Sequence, residues 1–352
     1  MKKLQFLIIS CMLILAAVLL LVYPEVCAQA IQNGLSICAK SVLPSLFPFF
    51  VISNLFVAAG FSHKLSKAAA PLLHRVFHLP HACASALILG YIGGYPVGAA
   101  SIARLYEAKE ISKTDAEYSM LFCNNAGPAF IFGILGGSIF HSLKLAVILW
   151  LIHVCSSLFL GILFRPNLTP ESTQISLQEK EEIPISTALT QSVSNAAEAT
   201  LRVSACILLF SIICEYAHHL KFGENSLFTY LLASLELTNG IHLLHETGIS
   251  QQQLFVFTSG LLGWGGLCVH CQTLDVLSRA ELRSNHYFVG KILHAMLSVC
   301  FACMISLFLD FNLSDLYVIP GSKWLSLIPL MLCFAALFFL KTTSGKQVQN
   351  QL

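Results

Sequence analysis

The feature that most constrains this chain is a succession of apolar runs that carry no Asp, Glu, Lys or Arg. They lie at 4–22, 41–62, 82–103, 118–143, 145–164, 253–274, 292–309 and 324–340. A helix needs about 20 mostly apolar residues to cross the hydrocarbon of a bilayer. Runs of this length, repeated along a chain, predict an all-α polytopic membrane protein. Two shorter apolar runs, 203–214 and 226–235, end at Glu215 and Glu236.

The composition agrees. Hydrophobic residues make up 56% of the 352 residues and charged residues only 11%, against about 25% charged in an ordinary soluble domain. That leaves too little charge to cover a water-soluble surface. The 20 Lys and Arg nearly balance the 18 Asp and Glu, for a net charge of +2. This excludes a basic nucleic-acid binder and an acidic disordered tail. The 13 Cys mostly sit inside apolar runs, where Cys behaves as a small hydrophobe.

The first run follows Lys2 and Lys3 and is followed by Ala28-Gln29-Ala30, which resembles a cleavage site. Its 19-residue core exceeds the usual 7–15 of a signal peptide, so it reads as a retained span with a cytoplasmic N-terminus. Stretch 165–187 holds three Pro and the charge run Glu179–Glu182 and reads as a polar linker. The expected organisation is therefore an N-terminal span at 1–30, a first half at 31–164, the linker at 165–187, a second half at 188–310, and a C-terminal span with a short tail at 311–352.

Several runs are poor ordinary helices. Pro44 and Pro48 lie in 41–62, and GYIGGYPVG at 90–98 packs four Gly and one Pro into nine residues. CNNAGP occupies 123–128. Gly and Pro in a helix interior cost about 1 and 3 kcal/mol relative to Ala. In hydrocarbon the backbone groups they free must find partners in protein or in a polar cavity. The second half repeats the habit: Gly260 to Gly266 echoes Gly90 to Pro96, each followed by a charged helical stretch. Interrupted segments mirrored in two halves point to a secondary transporter with inverted-repeat halves and discontinuous helices.

SVLPSLFPFFVISNLF, GYIGGYPVGA followed by a charged helix, and NNAGPAFIFG together resemble the sporulation integral membrane proteins of the YlbJ (SpoVV) type, which carry the nucleoside-recognition gate domain. The resemblance covers roughly residues 35–310, with GLLGWGGLCVHCQT the looser match of the second half. It implies a fold related to concentrative nucleoside transporters and the transport of dipicolinic acid. The place it implies is the bacterial cell membrane or the outer forespore membrane. Nucleoside-like and other small solutes stay open as cargo, as does a non-transporting scaffold for spore assembly.

Dipicolinate is a flat ring bearing two carboxylates, so its site needs donors, positive potential and an apolar slot. Asn124 and Asn125 bring amides into an uncharged run. Gly93, Gly94 and Gly98 would bare backbone N–H groups at a broken helix, where the helix dipole favours an anion. Ser45 lies between two prolines, and Thr238 and Asn239 stand in the corresponding place of the second half. Lys40 and Arg202 each precede an apolar run and are the candidate countercharges, with an interfacial snorkelling cation as the alternative. Glu198, Glu215 and Glu236 would repel a dianion and suit proton or cation coupling better.

No cofactor or metal is expected. Cys268, His270 and Cys271 supply three ligands at most, against the usual four of a structural zinc site. H-E-x-x-H, G-x-S-x-G and Walker A patterns are missing from the sequence, so no enzyme is expected. The expected partners are a small anionic solute and the lipid bilayer, with no nucleic acid and with a homo-oligomer left open.

Overall fold

A computed structural model describes residues 2–58, 61–166, 184–220, 226–309 and 311. Among them the only regular elements are helical. Most of the linker and all of the C-terminal span expected at 324–340 fall outside the described residues.

The chain opens with α1 (Lys2–Val22), whose leucines and isoleucines lie exposed along most of its length, as suits a helix facing lipid. After Tyr23 comes α2 (Pro24–Ile37), then a π-helical turn at Cys38–Val42, then α3 (Leu43–Ala58). These run on as one long helix. The run expected at 41–62 is thus the second part of a span that starts near Pro24. Pro44 accounts for the π turn. It has no N–H to give, and its ring would crowd the carbonyl of residue 40 in a regular helix. Widening the turn lets Leu43 N–H reach the Cys38 carbonyl.

The amphipathic α4 (Phe61–Phe77) leads to α5 (Cys83–Gly93) and α6 (Val97–Glu107). At 11 residues each, these two are about 16 Å long by helical rise and cannot cross about 30 Å of hydrocarbon. They fold back on one another, so 82–103 is a re-entrant hairpin and not the through-span the run length suggested. A side chain at Gly90 or Gly98 would collide with the Cys123 carbonyl oxygen lodged against both. Close approach of three backbones therefore requires glycine at both positions.

The next run is interrupted as well. α7 (Lys113–Ser119) starts at a Ser112–Asp115 capping box. Residues 120–128 are irregular, and a π-helix at Ala129–Ile139 follows. Then α8 (Leu143–Leu163) crosses the bundle.

The second half has the same order of parts. A long helix, α9 (Ile185–His219), packs against α2 and α3. A short hairpin follows, α10 (Ser226–Ala233) and α11 (Leu237–Glu246); Gly240 leaves room for the Ala233 carbonyl. An interrupted helix comes next, α12 (Gln251–Trp264) and α13 (Leu267–Arg279), parted by Gly265 and Gly266 at φ 91° and 86°. α14 (Asn285–Ser306) closes the half. The expected breaks at 93–98 and 263–266 are therefore present. Their pairing is different, however. Long helix, hairpin, interrupted segment and span recur in that order, so the Gly94 turn answers to Leu235–Glu236, and Asn124–Gly127 answers to Gly265–Gly266. The Gly-rich likeness between 90–98 and 260–266 joined elements of different rank.

Among the described residues, five helical stretches are long and apolar enough to cross a membrane: Pro24–Leu55, Leu143–Leu163, Ser186–His219, Gln251–Arg279 and Asn285–Ser306. Lipid tails give helices no hydrophobic reason to associate, so small residues and internal hydrogen bonds must hold such a bundle together. The α12–α14 contact shows both. Gly263 abuts the Ala295 backbone, and Ser259 Oγ donates to the Ser298 carbonyl at 3.0 Å.

Candidate functional site: a cleft where four interruptions meet

The two hairpin turns and the two helix breaks converge. Gly94, at φ 76°, leaves its Cα face open to the Gly127 backbone; a Cβ there would sit 2.9 Å from Gly127 N. In the second half Gly266 faces the Leu235–Leu237 backbone, and Cys268 N–H donates to the Leu235 carbonyl at 3.2 Å. The halves are also tied across. Tyr95 O–H donates to the Leu262 carbonyl at 2.6 Å; within the second half, Trp264 Nε1–H ties the α12 break to the Ser234 carbonyl at 3.0 Å.

Between these parts lies a cleft. Gly93, Gly94 and Tyr95 form one wall, and Ala126, Gly127 and Phe130 the next. Glu236, Leu237 and Thr238 close a third side, with Cys268, Val269 and Gln272 on the fourth. Leu46 and Phe50 of α3, with Val203 and Cys206 of α9, cover it from the long helices. The lining is thus mostly apolar and partly aromatic, with a few polar groups. Glu236 is the one ionisable carboxylate in it. Its two oxygens accept the N–H groups of Thr238 and Asn239 at 3.0 and 2.7 Å, which caps the N-terminus of α11 where the dipole favours a negative group.

The expected site residues divide. Gly93, Gly94 and Thr238 line the cleft. Gly98 does not; its place is the contact with Gly90 and Cys123. Ser45 packs on Gly133. Asn239 is buried, donating to the Ile207 carbonyl at 3.0 Å and accepting from Ser211 Oγ at 3.0 Å, so it fastens α11 to α9.

Asn124 and Asn125 are buried behind the cleft wall and are not part of the lining. The reason lies in the irregular stretch they belong to. Unwound backbone in a bilayer leaves carbonyls in need of donors, and the local polar side chains serve them. The Phe122 carbonyl receives Asn125 Nδ2–H at 2.7 Å, Ser157 Oγ–H at 2.7 Å and Tyr91 O–H at 3.5 Å. Asn124 Nδ2–H goes to Thr273 Oγ1 at 2.9 Å.

Both expected countercharges point away from the site. Lys40 is exposed on the π turn, and Arg202 is exposed and pairs with Glu198 one turn earlier on α9. Charges on the outer face of a long helix are free to reach interfacial water, as a snorkelling cation does.

The cation that does lie inside is Lys291 of α14, only 1% exposed. Its Nζ donates to the Asn124 carbonyl at 3.1 Å and stands 5.0 Å from the centre of the Tyr95 ring. None of the ion pairs among the described residues includes it. Beside it are two buried imidazoles, His153 of α8 and His294 of α14, stacked at 4.5 Å. The sequence held a signal for Lys291, since it borders the run 292–309. A cation at the edge of an apolar run reads as interfacial. The helix begins at Asn285, however, and carries Lys291 well inside.

Crossing helices, short re-entrant hairpins and interrupted helices around one apolar cleft define a multi-pass integral membrane protein with a carrier-like core. Residues 39–166, from the π turn through α8, match the family model described as Gate, nucleoside recognition. Over 341 residues, 87% of this chain and 84% of the relative, the sequence is 24% identical to the sporulation integral membrane protein YlbJ of Bacillus subtilis (strain 168). No solved structure matches the chain. The resemblance to sporulation membrane proteins with a nucleoside-recognition gate domain therefore stands.

Proposed function

We propose that the protein is a carrier that moves a small, flat organic anion through the cleft by alternating access. In this reading the two halves are inverted repeats that rock around the site. The observation that carries it is the convergence of four backbone interruptions on one cleft. Broken helices in hydrocarbon are costly, and a scaffold would have no use for four that meet. Phe50, Tyr95 and Phe130 supply an apolar slot for a ring. The hydroxyl of Thr238 and the amide of Gln272 supply donors. Lys291 supplies positive potential from behind Tyr95. Together with the sporulation resemblance, this chemistry fits dipicolinate, carried across a forespore or cell membrane by a chain with its N-terminus in the cytoplasm.

One feature favours a second reading. Glu236 lines the cleft, and a carboxylate there suits a neutral solute rich in donors, such as a nucleoside. Uptake of labelled dipicolinate into proteoliposomes, with competition by nucleosides and simple dicarboxylates, separates the two. Saturable dipicolinate uptake that dicarboxylates inhibit and nucleosides do not supports the first. Saturable nucleoside uptake alone supports the second, and no saturable uptake of either removes the carrier.

A further inference from the structure

Lys291, His153 and His294 sit together in the membrane core, yet no carboxylate among the described residues pairs with them. The cleft lies on the other side of a thin wall. His153 Nε2 accepts the backbone N–H of Ala126 at 2.9 Å, and Ala126 and Gly127 line the cleft. The Asn124 carbonyl is held by Lys291 at 3.1 Å. His294 Nε2–H donates to the His153 carbonyl at 2.9 Å. The wall segment 124–127 is therefore clamped from behind by an ammonium and an imidazole.

The tautomer of His153 follows from this geometry. Because Nε2 accepts, the proton of the neutral ring is on Nδ1, which is buried and has no partner among the described residues. A second proton can go only to Nε2. Its lone pair would then become an N–H bond, and the hydrogen bond from Ala126 would be lost. A doubly protonated His153 and a clamped Ala126 exclude one another. Acceptors for the freed donors are at hand on the same segment, since Asn124 Oδ1 and Asn125 Oδ1 are buried without partners.

Charge decides when this proton is taken up. The charged and titratable groups facing His153 are His294 and Lys291 from α14; the thiol of Cys123 in the wall faces Lys291. The π-helix at Ala129–Ile139 and α12 carry no ionisable side chain. α4 meets α8 where Phe77 packs on Gly161, two turns from His153. A proton added to His153 thus adjoins a cation with no anion beside it among the described residues, which is costly in a low-dielectric site. An anion in the cleft removes that cost.

We infer that His153, backed by Lys291 and His294, is a proton-binding site that couples inward movement of the anion to a proton and releases the 124–127 wall when both are bound. This rests on the carrier reading. The proton comes from the side on which the anion binds and leaves His153 Nε2 for water on the other side, after the anion has gone and Ala126 N–H reclaims its acceptor.

The full chain in proteoliposomes tests it, with the membrane potential clamped at zero and dipicolinate as probe. An inward gradient of one pH unit should accumulate dipicolinate about ten-fold for each proton carried. His153→Gln, which can accept from Ala126 but cannot titrate, should abolish accumulation driven by the pH gradient. Tracer counterflow, which needs no gradient, is measured on the same vesicles. Counterflow without any effect of the pH gradient in the wild type overturns the coupling and leaves the carrier intact. No flux and no counterflow overturns the carrier and the coupling with it. Should His153→Gln fail to insert, amide exchange of wild-type segment 124–128 decides. After correction for intrinsic rates, its protection should fall several-fold between pH 8 and pH 5.5 with dipicolinate present; constant protection overturns the inference.

Discussion

At the scale of single residues, polar groups in this bundle mostly serve the backbone. Asn125 shows it, since its amide joins Ser157 and Tyr91 on one buried carbonyl of the unwound stretch, that of Phe122. Asn125→Ala should therefore cost about 1 kcal/mol of stability, in line with interhelical hydrogen bonds in membranes. It should raise the unfolded fraction in a detergent thermal melt and leave the KM for solute unchanged; a large rise in KM would return Asn125 to the site. Lys40→Gln and Arg202→Gln, both on the outer face, should leave uptake rates within about two-fold of wild type, within the range of surface charge changes. The sequence showed which residues were unusual in a membrane but not which way they faced. Asn124 and Asn125 are conspicuous because apolar neighbours surround them, and the same surroundings make backbone carbonyls compete for their amides. Lys291 was hidden for the converse reason, as a charge at the edge of a run is ordinary.

At the scale of elements, glycine decides where chains can touch. Gly98 faces both Gly90 and Cys123, so Gly98→Leu should prevent closure of the α5–α6 hairpin and abolish folded protein, read as loss of the monodisperse peak in size-exclusion chromatography. Gly94→Ala is milder. Gly94, at φ 76° and ψ −168°, holds a backbone region used almost only by glycine that costs other residues about 1–3 kcal/mol, and the added methyl would press on Gly127 N at 2.9 Å. It should lower the melting temperature and slow uptake; unchanged values for both would show that the Gly94–Gly127 contact does not shape the wall. The breaks themselves were legible because Gly and Pro act locally. Whether a broken run crosses or returns was not, because run length counts residues and not direction. At 82–103 and 118–143 the apolar run was long enough to span, yet the chain turned back or unwound within it.

At the scale of the molecule, two sets of long helix, hairpin, interrupted segment and span surround one cleft, and Tyr95 bridges them through the Leu262 carbonyl. Class and resemblance were legible in composition and in three motifs. The correspondence between halves was not, because Gly-rich likeness followed local chemistry and the element order follows topology. The central claim is that solute occupies this cleft, and the protein has a native reporter for it. Cys206 of α9 lines the cleft, whereas Cys11 and Cys155 are exposed elsewhere. Alkylation of each thiol in the purified full chain, followed by mass spectrometry with and without dipicolinate, measures occupancy directly. Dipicolinate should slow labelling of Cys206 in a saturable manner and leave Cys11 and Cys155 unaffected. Equal rates at Cys206 with and without solute, in protein that transports it, would contradict the cleft as the path.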